Sequence, residues 1–374
     1  MRIISLEPIP VLVPLKKGMT TKTAHGEHID SPYVMVKVHT DEGLVGLGEA
    51  TLSPRWSGET SPGCAAAMSQ VLEPAVKGAD PRDVRGVARR MEQALSLNPF
   101  TRAAVEMACW DIAGKAAGLP VYRLLGGKVR EAAPMKMVVG AFEPPRAAAL
   151  AQRFLDRGVR HLKVKVGLDP AQDIERVRLV RELASPGVSI GVDANCGWDL
   201  GTARRTLAAL EAFDITFAEQ PVGTDDPRAL AAVRRSTSIP VMADESVFTP
   251  RDALGLVRAD AADVLAVYPG KNGGLLGSLA VAEIAAAAGL VCSMGSNLEL
   301  GVATAAMLHL AVACTAIDSE RYPGDLLGPL YHDADMITEP LELGPVVAAV
   351  PEGPGLGVEL DEDQVARYRD PAAT

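Results

Sequence analysis

The chain has 374 residues, enough for two domains or for one barrel with a smaller domain attached. Its 48% hydrophobic and 22% charged content is ordinary for a soluble globular protein, and its formal net charge of −10 argues against a nucleic-acid partner and against an anionic membrane surface. The five cysteines are scattered, odd in number and without metal-type spacing, which indicates reduced thiols in a cytoplasmic protein.

The first 50 residues show the alternation of strands, in "RIISLEPIPVLVPL", "YVMVKVHT" and "LVGLGEA". The turn "DEG" between the last two predicts a hairpin. The opening residues lack the basic region and the long apolar core of a signal peptide. Two polar stretches, "KKGMTTKTAHGEHIDS" and "TLSPRWSGETSPG", are long connections of the kind that is functional or disordered.

Helical patterns follow as far as residue 125. They are "CAAAMSQVLEPAV", "PRDVRGVARRMEQAL" and "TRAAVEMACWDIAGKAAG", the last ended by Gly118 and Pro120. Strands followed by helices predict an α+β domain over residues 1–125.

From residue 126 onwards, short apolar runs alternate with helical segments. The strand candidates are "MKMVVGA", "HLKVKVG", "VSIGVDAN", "ITFAEQP", "IPVMADE", "VLAVYPG" and "LVCSMG". Such alternation predicts βαβ units, and seven or eight of them close into a parallel barrel. The apolar stretch 275–295 contains Glu283 and Gly289, so it predicts a helix and then a strand instead of a membrane span. We assign the barrel to residues 126–330.

Three of the predicted strands end in an acid: Asp193 in "VDAN", Glu219 in "AEQP" and Asp244 in "ADES". They are roughly 25 residues apart, one strand–helix unit per step, which predicts that all three lie at the C-terminal mouth of the barrel. A single acid after a strand is equally well explained as the cap of the next helix, but three in succession disfavour that explanation. Converging carboxylates repel each other, and a hard divalent cation such as Mg²⁺ neutralises them.

Lysines extend this series on both sides. Lys165 lies one unit before Asp193, and Lys271 lies one unit after Asp244, which predicts two lysines on the second and sixth strands, facing each other across the mouth. Lys163 shares the strand face of Lys165. Taken alone, the two lysines fit an edge strand with a solvated face equally well. The acids favour the mouth, where carboxylates compensate both charges.

The neighbouring charges are expected to tune Lys165 for proton transfer. An ammonium on Lys163 about 7 Å away, at an effective dielectric of about 20, lowers the pKa of Lys165. A bound dication acts in the same direction and the carboxylates act against it, so the sequence leaves the net direction open.

The ordered set KxK, DxN, ExP, DE and a later lysine followed by "NGG" resembles the enolase superfamily, in its muconate lactonizing enzyme subgroup. The resemblance covers essentially the whole chain. "MTT" (19–21), "GEAT" (48–51) and "WSGETSP" (56–62) are similar to the capping loops of muconate and chloromuconate cycloisomerases. "LPVYRLLGG" (119–127), "LLGPL" (326–330) and "PGLGVELDED" (354–363) are similar to other parts of those enzymes.

The resemblance implies a (β/α)7β TIM-like barrel with an N-terminal α+β capping domain, and a C-terminal segment, 331–374, that packs back on the capping domain. It implies Mg²⁺, with Mn²⁺ as a substitute, held by Asp193, Glu219 and Asp244. Lys165 and Lys271 are then the acid/base pair that removes and returns the proton α to a substrate carboxylate. The metal stabilises the enolate by placing positive charge where negative charge develops.

The matched motifs add five supporting residues: Lys163, Asn195, Glu245, Glu299 and Asp325. Glu299 in "SNLELG" either hydrogen-bonds near the site or is an acid favoured by a helix N-terminus. The stretch "YPGDLLGP" resembles the cycloisomerase motif "GTELFGP", and its Asp325 lies at the position of the motif's glutamate. An Asp at this position also fits epimerases. The loop histidines His25 and His28 are interpreted as solvated, with catalysis as the lesser alternative.

These observations predict an isomerase of a small carboxylate, foremost a muconate-type cycloisomerase that interconverts a cis,cis-muconate and its lactone. The alternatives are an epimerase or racemase of N-substituted amino acids or dipeptides, then a dehydratase, and from another class a non-catalytic metal-binding scaffold. The lysines and the three acids disfavour the scaffold. We expect a cytoplasmic homo-oligomer with no nucleic-acid and no membrane partner.

Overall fold

The computed structural model describes residues 1–373. Its first 51 residues form five strands: β1 (Ile3–Pro14), β2 (Thr21–Thr23), β3 (Gly26–His28), β4 (Asp30–Thr40) and β5 (Val45–Thr51). An antiparallel sheet has the order β1-β4-β5, and the predicted hairpin is confirmed at β4–β5. β2 pairs with β3, so the first polar stretch, predicted as a long connection, contains a small hairpin.

The helices of this capping domain are α1 (Ser61–Ala67), a π-helical turn (Met68–Leu72), α2 (Glu73–Val76), α3 (Val84–Ala94), α4 (Pro99–Ala117) and α5 (Val121–Leu124). The π-helical turn interrupts the first predicted helix just before Pro74, whose nitrogen has no proton to donate to an α-helical bond. Gly118 ends α4 with a φ of 67°, as predicted.

Helix α4 lies directly on β5 because two positions of that strand are glycine. A Cβ on Gly46 would overlap the carbonyl of Ala108, and a Cβ on Gly48 would overlap that of Ala104. The "VGLG" pattern therefore fixes how closely the long helix packs on the sheet.

The barrel contains the strands β7 (Met137–Val139), β8 (His161–Lys165), β9 (Ser189–Asp193), β10 (Ile215–Glu219), β11 (Val241–Ala243), β12 (Val264–Val267) and β13 (Val291–Met294), preceded by the short β6 (Ala132–Pro134). The helices between and after them are α6 (Pro144–Asp156), α7 (Pro170–Leu183), α8 (Leu200–Leu210), α9 (Pro227–Arg234), α10 (Pro250–Ala259), α11 (Leu275–Ala287) and α12 (Gly301–Ala313). The seven strands form one parallel sheet in chain order.

Residues 316–325 close this sheet into a barrel. Cys292 in β13 forms a parallel bridge with Ile317, and Met135, just before β7, forms one with Gly324. The predicted (β/α)7β barrel with a capping domain is thereby confirmed. The eighth strand position of the barrel is filled by an extended segment, which single bridges hold in place of a regular strand ladder.

The chain after the barrel contains α13 (Gly328–Tyr331), β14 (Val347–Ala349) and α14 (Glu362–Arg367). β14 pairs antiparallel with β6. Leu12 N donates to Tyr368 O at 2.9 Å, and Lys37 pairs with Glu362 at 2.6 Å, so the C-terminal segment contacts β1 and β4. None of the helices within residues 1–373 has the length and apolar character needed to cross a membrane.

Candidate active site

The strand register brings Lys165, Asp193 and Glu219 side by side. Lys165 ends β8 and pairs with Asp193, which ends β9 and pairs in turn with Glu219 at the end of β10. Asp244 follows directly after β11. The structure therefore places all three acids and Lys165 at the C-terminal mouth of the barrel, as the spacing predicts.

Lys271 reaches the same mouth from a turn. The prediction that it lies on the sixth strand was wrong, because β12 ends at Val267 and Lys271 follows in the turn before α11. Its fully buried Nζ donates to Asp244 Oδ1 at 2.6 Å, to Asp244 O at 2.9 Å and to Ala266 O at 2.8 Å. β8 and β12 occupy the second and sixth of the eight strand positions, so Lys165 and Lys271 lie on opposite sides of the opening.

Carboxylates compensate both lysines of the "KVK" strand. Lys165 Nζ donates to Asp193 Oδ2 at 2.5 Å and to the side-chain oxygen of Asn195 at 2.9 Å. Lys163 Nζ donates to Asp325 Oδ2 at 2.7 Å and to both oxygens of Glu219 at 3.1 Å, and it lies 3.3 Å from Asp193 Oδ2. The edge-strand interpretation is wrong because β8 lies between β7 and β9.

The buried charges shift each other's protonation. Burial disfavours the charge on Lys163, but Asp325, Glu219 and Asp193 outweigh burial and raise its pKa well above the usual value. Burial, followed by the charge of Asp193, raises the pKa of Glu219 to about 8. Lys163 is therefore held as a permanent cation among carboxylates. Burial and the neighbouring acids disfavour the negative charge on Glu219.

A cavity lies above this network, between the capping domain and the barrel mouth. Its walls include a capping-loop side, formed by Thr21, Thr23, His25, His28, Ser53 and Trp56, and a barrel side with Lys163, Lys165, Asn195, Asp244, Glu245, Tyr268 and Asp325. Asp193, Glu219 and Lys271 lie beneath this lining.

Both loop histidines face this cavity instead of open solvent. His25 Nε2 lies 2.9 Å from Glu245 Oε1, which also accepts a hydrogen bond from Asn195 Nδ2 at 3.0 Å. Arg55, from the second capping loop, donates to the carbonyl of His25. Burial, with the charge of Lys165 next, lowers the pKa of His28. The interpretation of these histidines as solvated was wrong because the hairpin folds over the barrel.

Glu299 lies beside the site without lining the cavity. It accepts hydrogen bonds from Ser296 Oγ at 2.5 Å and from Asn297 N at 3.0 Å, just before α12. Burial raises its pKa to about 7. Of the two interpretations that the sequence leaves open, these contacts favour a role in ordering the loop at the start of the helix.

The sequence analysis missed a fourth buried lysine. Lys136 Nζ donates to Pro323 O at 2.6 Å and lies 3.3 Å from Asp325 Oδ2. The signal was present, since Lys136 alternates with Val138 in "MKMVV" and therefore points to the same side as a cavity-lining residue. Lys136 and Lys163 together hold one oxygen of Asp325.

Unpaired polar atoms concentrate at the cavity. Among the described residues, six buried side-chain nitrogen or oxygen atoms have no hydrogen-bond partner. Four belong to cavity-lining residues: Trp56 Nε1, Glu245 Oε2, Tyr268 OH and Asp325 Oδ1. Leaving such atoms unpaired costs about 1–3 kcal/mol each, so water, a ligand or a cation is expected to meet them.

A capped barrel with acids at its mouth defines an enolase-type enzyme, and comparison with known families agrees. The family description "Mandelate racemase / muconate lactonizing enzyme, N-terminal domain" matches residues 6–126, and "Enolase C-terminal domain-like" matches residues 146–364. The chain belongs to this family of the enolase superfamily.

Curated relatives carry several activities. The chain is 31% identical to N-succinyl-L-Arg/Lys racemase of Bacillus cereus (97% of this chain, 96% of the relative). It is 34% identical to muconate cycloisomerase 1 of Rhodococcus opacus (96% and 95%) and 33% identical to L-Ala-D/L-Glu epimerase of Bacillus subtilis (96% and 97%). These relatives are isomerases, and the chain is an isomerase of the enolase superfamily.

Solved structures agree over the whole chain. The N-succinyl Arg/Lys racemase from Bacillus cereus superposes with a TM-score of 0.94 at 30% identity, covering 99% of this chain and 98% of the other. A dipeptide epimerase from Cytophaga hutchinsonii, complexed with Mg and the dipeptide D-Ala-L-Val, gives a TM-score of 0.93 at 30% identity, covering 99% of both chains.

Proposed function

We propose that this isomerase is a Mg²⁺-dependent racemase or epimerase that moves the α-proton of an N-substituted amino acid or a dipeptide. The observation that carries this proposal is Asp325, a cavity-lining residue whose buried Oδ1 has no hydrogen-bond partner. An amide N–H or an ammonium on the substrate satisfies this acceptor. A muconate dianion has no N–H or O–H donor to offer this acceptor.

The acid cluster suits Mg²⁺. Asp193, Glu219 and Asp244 offer only oxygen donors, all buried, and they repel one another strongly enough to raise the pKa of Glu219. When bound, Mg²⁺ supplies positive charge to the substrate carboxylate as the α-proton leaves. Lys165 pairs with Asp193 and Lys271 with Asp244, so a bound cation would share these carboxylates with the two lysines.

The two lysines supply the proton transfers. Lys165 lines the cavity on one side, and Lys271 approaches from the turn after β12 on the opposite side. In a racemase each lysine removes the α-proton of one enantiomer and the other returns a proton to the opposite face. Lys163, which its three carboxylate neighbours keep charged, holds Asp325 and Glu219 in place and does not exchange protons itself.

Muconate cycloisomerisation is the second candidate. It is supported by the 34% identity to muconate cycloisomerase 1 of Rhodococcus opacus over 96% of the chain. The same metal and lysine arrangement serves both reactions, so the two candidates differ at Asp325 and in the capping loops.

A single panel separates them. The Mg²⁺-loaded protein is incubated in D₂O with N-succinyl amino acids, other N-acyl amino acids and dipeptides, and separately with cis,cis-muconate. We expect deuterium at the α-carbon of both enantiomers of at least one N-substituted amino acid, and no lactone. Lactone formation from muconate, without exchange on any N-substituted amino acid, would replace the proposal with the cycloisomerase.

A further inference from the structure

A second cluster of metal-type ligands lies where the capping hairpin β2–β3 meets the barrel. One ligand atom each from His25, Cys196 and Glu245 lies within 4.8 Å of the other two. His25 is in the turn of the hairpin, Cys196 follows β9, and Glu245 follows β11. The proton-transfer function proposed above uses none of the three ligand atoms.

We propose that His25, Cys196 and Glu245 form a binding site for Zn²⁺ or a cation of the same class, separate from the Mg²⁺ acids, which fastens the capping hairpin to the barrel. Imidazole and thiolate ligands favour Zn²⁺ over Mg²⁺, which prefers oxygen and retains its water. The donor types therefore divide the cations between the two sites.

The geometry needs only small adjustments. Zinc bonds of about 2.0–2.3 Å in a tetrahedral arrangement separate the ligand atoms by roughly 3.3–3.8 Å. His25 Nε2 and Glu245 Oε1 are 2.9 Å apart and joined by a hydrogen bond, whose proton a cation would replace. The other oxygen of Glu245 is buried and has no partner, so it is free to serve as a further ligand.

The surroundings favour a positive ion. The carboxylate of Glu245 places negative charge beside the Cys196 thiol. The same negative potential attracts a cation, and binding releases the thiol proton. Cys196 is only partly buried, which leaves a path for the ion.

Occupation of this site would hold the cavity closed. Thr21, Thr23 and His28 of the hairpin line the cavity, and His25 is their link to Glu245 across the junction. A coordinate bond at His25 is stronger and slower to break than the present hydrogen bond. The cation therefore slows the opening of the hairpin over the barrel mouth.

Co²⁺ provides a spectroscopic probe in full-length protein saturated with Mg²⁺. We expect one equivalent of Co²⁺ to give a thiolate-to-cobalt absorption band that Zn²⁺ abolishes by displacement. Cys196→Ser should lose the band, and His25→Gln should lower the affinity for Co²⁺. The matched controls Cys314→Ser and His28→Gln should keep both. Wild-type protein without the band, or Cys196→Ser protein that retains it, overturns the proposal.

Hydrogen exchange provides a readout that does not depend on the spectrum or on turnover. Zn²⁺ should slow amide exchange across residues 21–28 in the wild type and in the two controls, and should leave exchange unchanged in Cys196→Ser. His25→Gln gives the same information if Cys196→Ser folds poorly. Equal slowing in wild type and both site variants would show that Zn²⁺ acts elsewhere and would overturn the assignment.

Discussion

Lys163 Nζ lies 2.7 Å from Asp325 Oδ2, and this ion pair joins β8 to the segment that closes the barrel. Lys136 approaches the same oxygen at 3.3 Å, and all three side chains are buried. One carboxylate oxygen thus meets two ammonium groups, and the other oxygen of Asp325 has no hydrogen-bond partner. Asp325 therefore connects barrel closure with the wall of the cavity.

Replacing this carboxylate should destabilise the fold. Asp325→Asn leaves two buried ammonium groups around a neutral amide, and breaking a buried pair in this way costs about 3–5 kcal/mol. We expect a loss of that size in the free energy of unfolding, measured by urea denaturation. Lys136→Met should cost less because Lys163 keeps its partner. Asp80→Asn, which breaks an exposed pair with Arg82, is the matched control and should cost at most about 1 kcal/mol. Equal losses for Asp325→Asn and Asp80→Asn would contradict this account.

Removing the metal should abolish turnover and leave the fold intact. Three lysines already pair with the acid cluster, so EDTA-treated protein should keep its circular dichroism spectrum and lose activity, which Mg²⁺ or Mn²⁺ restores. Ala at Asp193, Glu219 or Asp244 should abolish Mn²⁺ binding measured by calorimetry, since each removes an anionic ligand. Glu175→Ala, at a partly exposed position, serves as the control. Full activity after EDTA treatment would rule out this metal site.

Buried His309 should make stability fall in acid. Its Nδ1 accepts from Tyr122 N, its Nε2 donates to Leu356 O, and burial lowers its pKa to about 4. Because this lies below the unfolded value of about 6.5, the unfolded chain takes up the proton first as the pH falls. The stabilisation is complete above pH ~6.5 and is lost progressively as the pH falls towards 4, by up to about 3 kcal/mol.

A difference measurement isolates this contribution. The wild type should lose stability relative to His309→Gln between pH 6.5 and 4, whereas His39→Gln, at a partly exposed position, should follow the wild type. Unfolding by urea at a series of pH values gives the comparison. Parallel curves for wild type and His309→Gln would contradict the assignment.

The barrel was predictable because local patterns specify it. Each strand is a short apolar run before a helix, and Asp193 and Glu219 end their strands. The hairpin β2–β3 was missed because its polar three-residue strands show no apolar alternation. The placement of Lys271 failed since spacing counts units and does not distinguish the last residue of a strand from the turn after it.

Contacts between distant parts of the chain were beyond the sequence. Lys163 and Asp325 are 162 residues apart, and His25 and Glu245 are 220 apart and lie in different domains. Nothing in either local pattern specifies the other partner, because the barrel closure and the docking of the cap create these pairs. Lys136 differs, since its strand alternation was visible in the sequence.

Replacing either lysine at the mouth should abolish α-proton exchange for one substrate enantiomer, a different one in each variant. If Lys165 and Lys271 act on opposite faces of the α-carbon, Lys165→Ala should lose exchange with D₂O for one substrate enantiomer and Lys271→Ala for the other. Each variant should keep exchange for the remaining enantiomer, while both lose racemisation by about 10²–10⁴-fold, the contribution of a positioned acid or base. Proton NMR of each pure enantiomer measures the exchange, and Lys115→Ala, far from the mouth, is the control. If one variant instead loses all exchange and the other keeps it for both enantiomers, a single base acts on the substrate, as in a cycloisomerase.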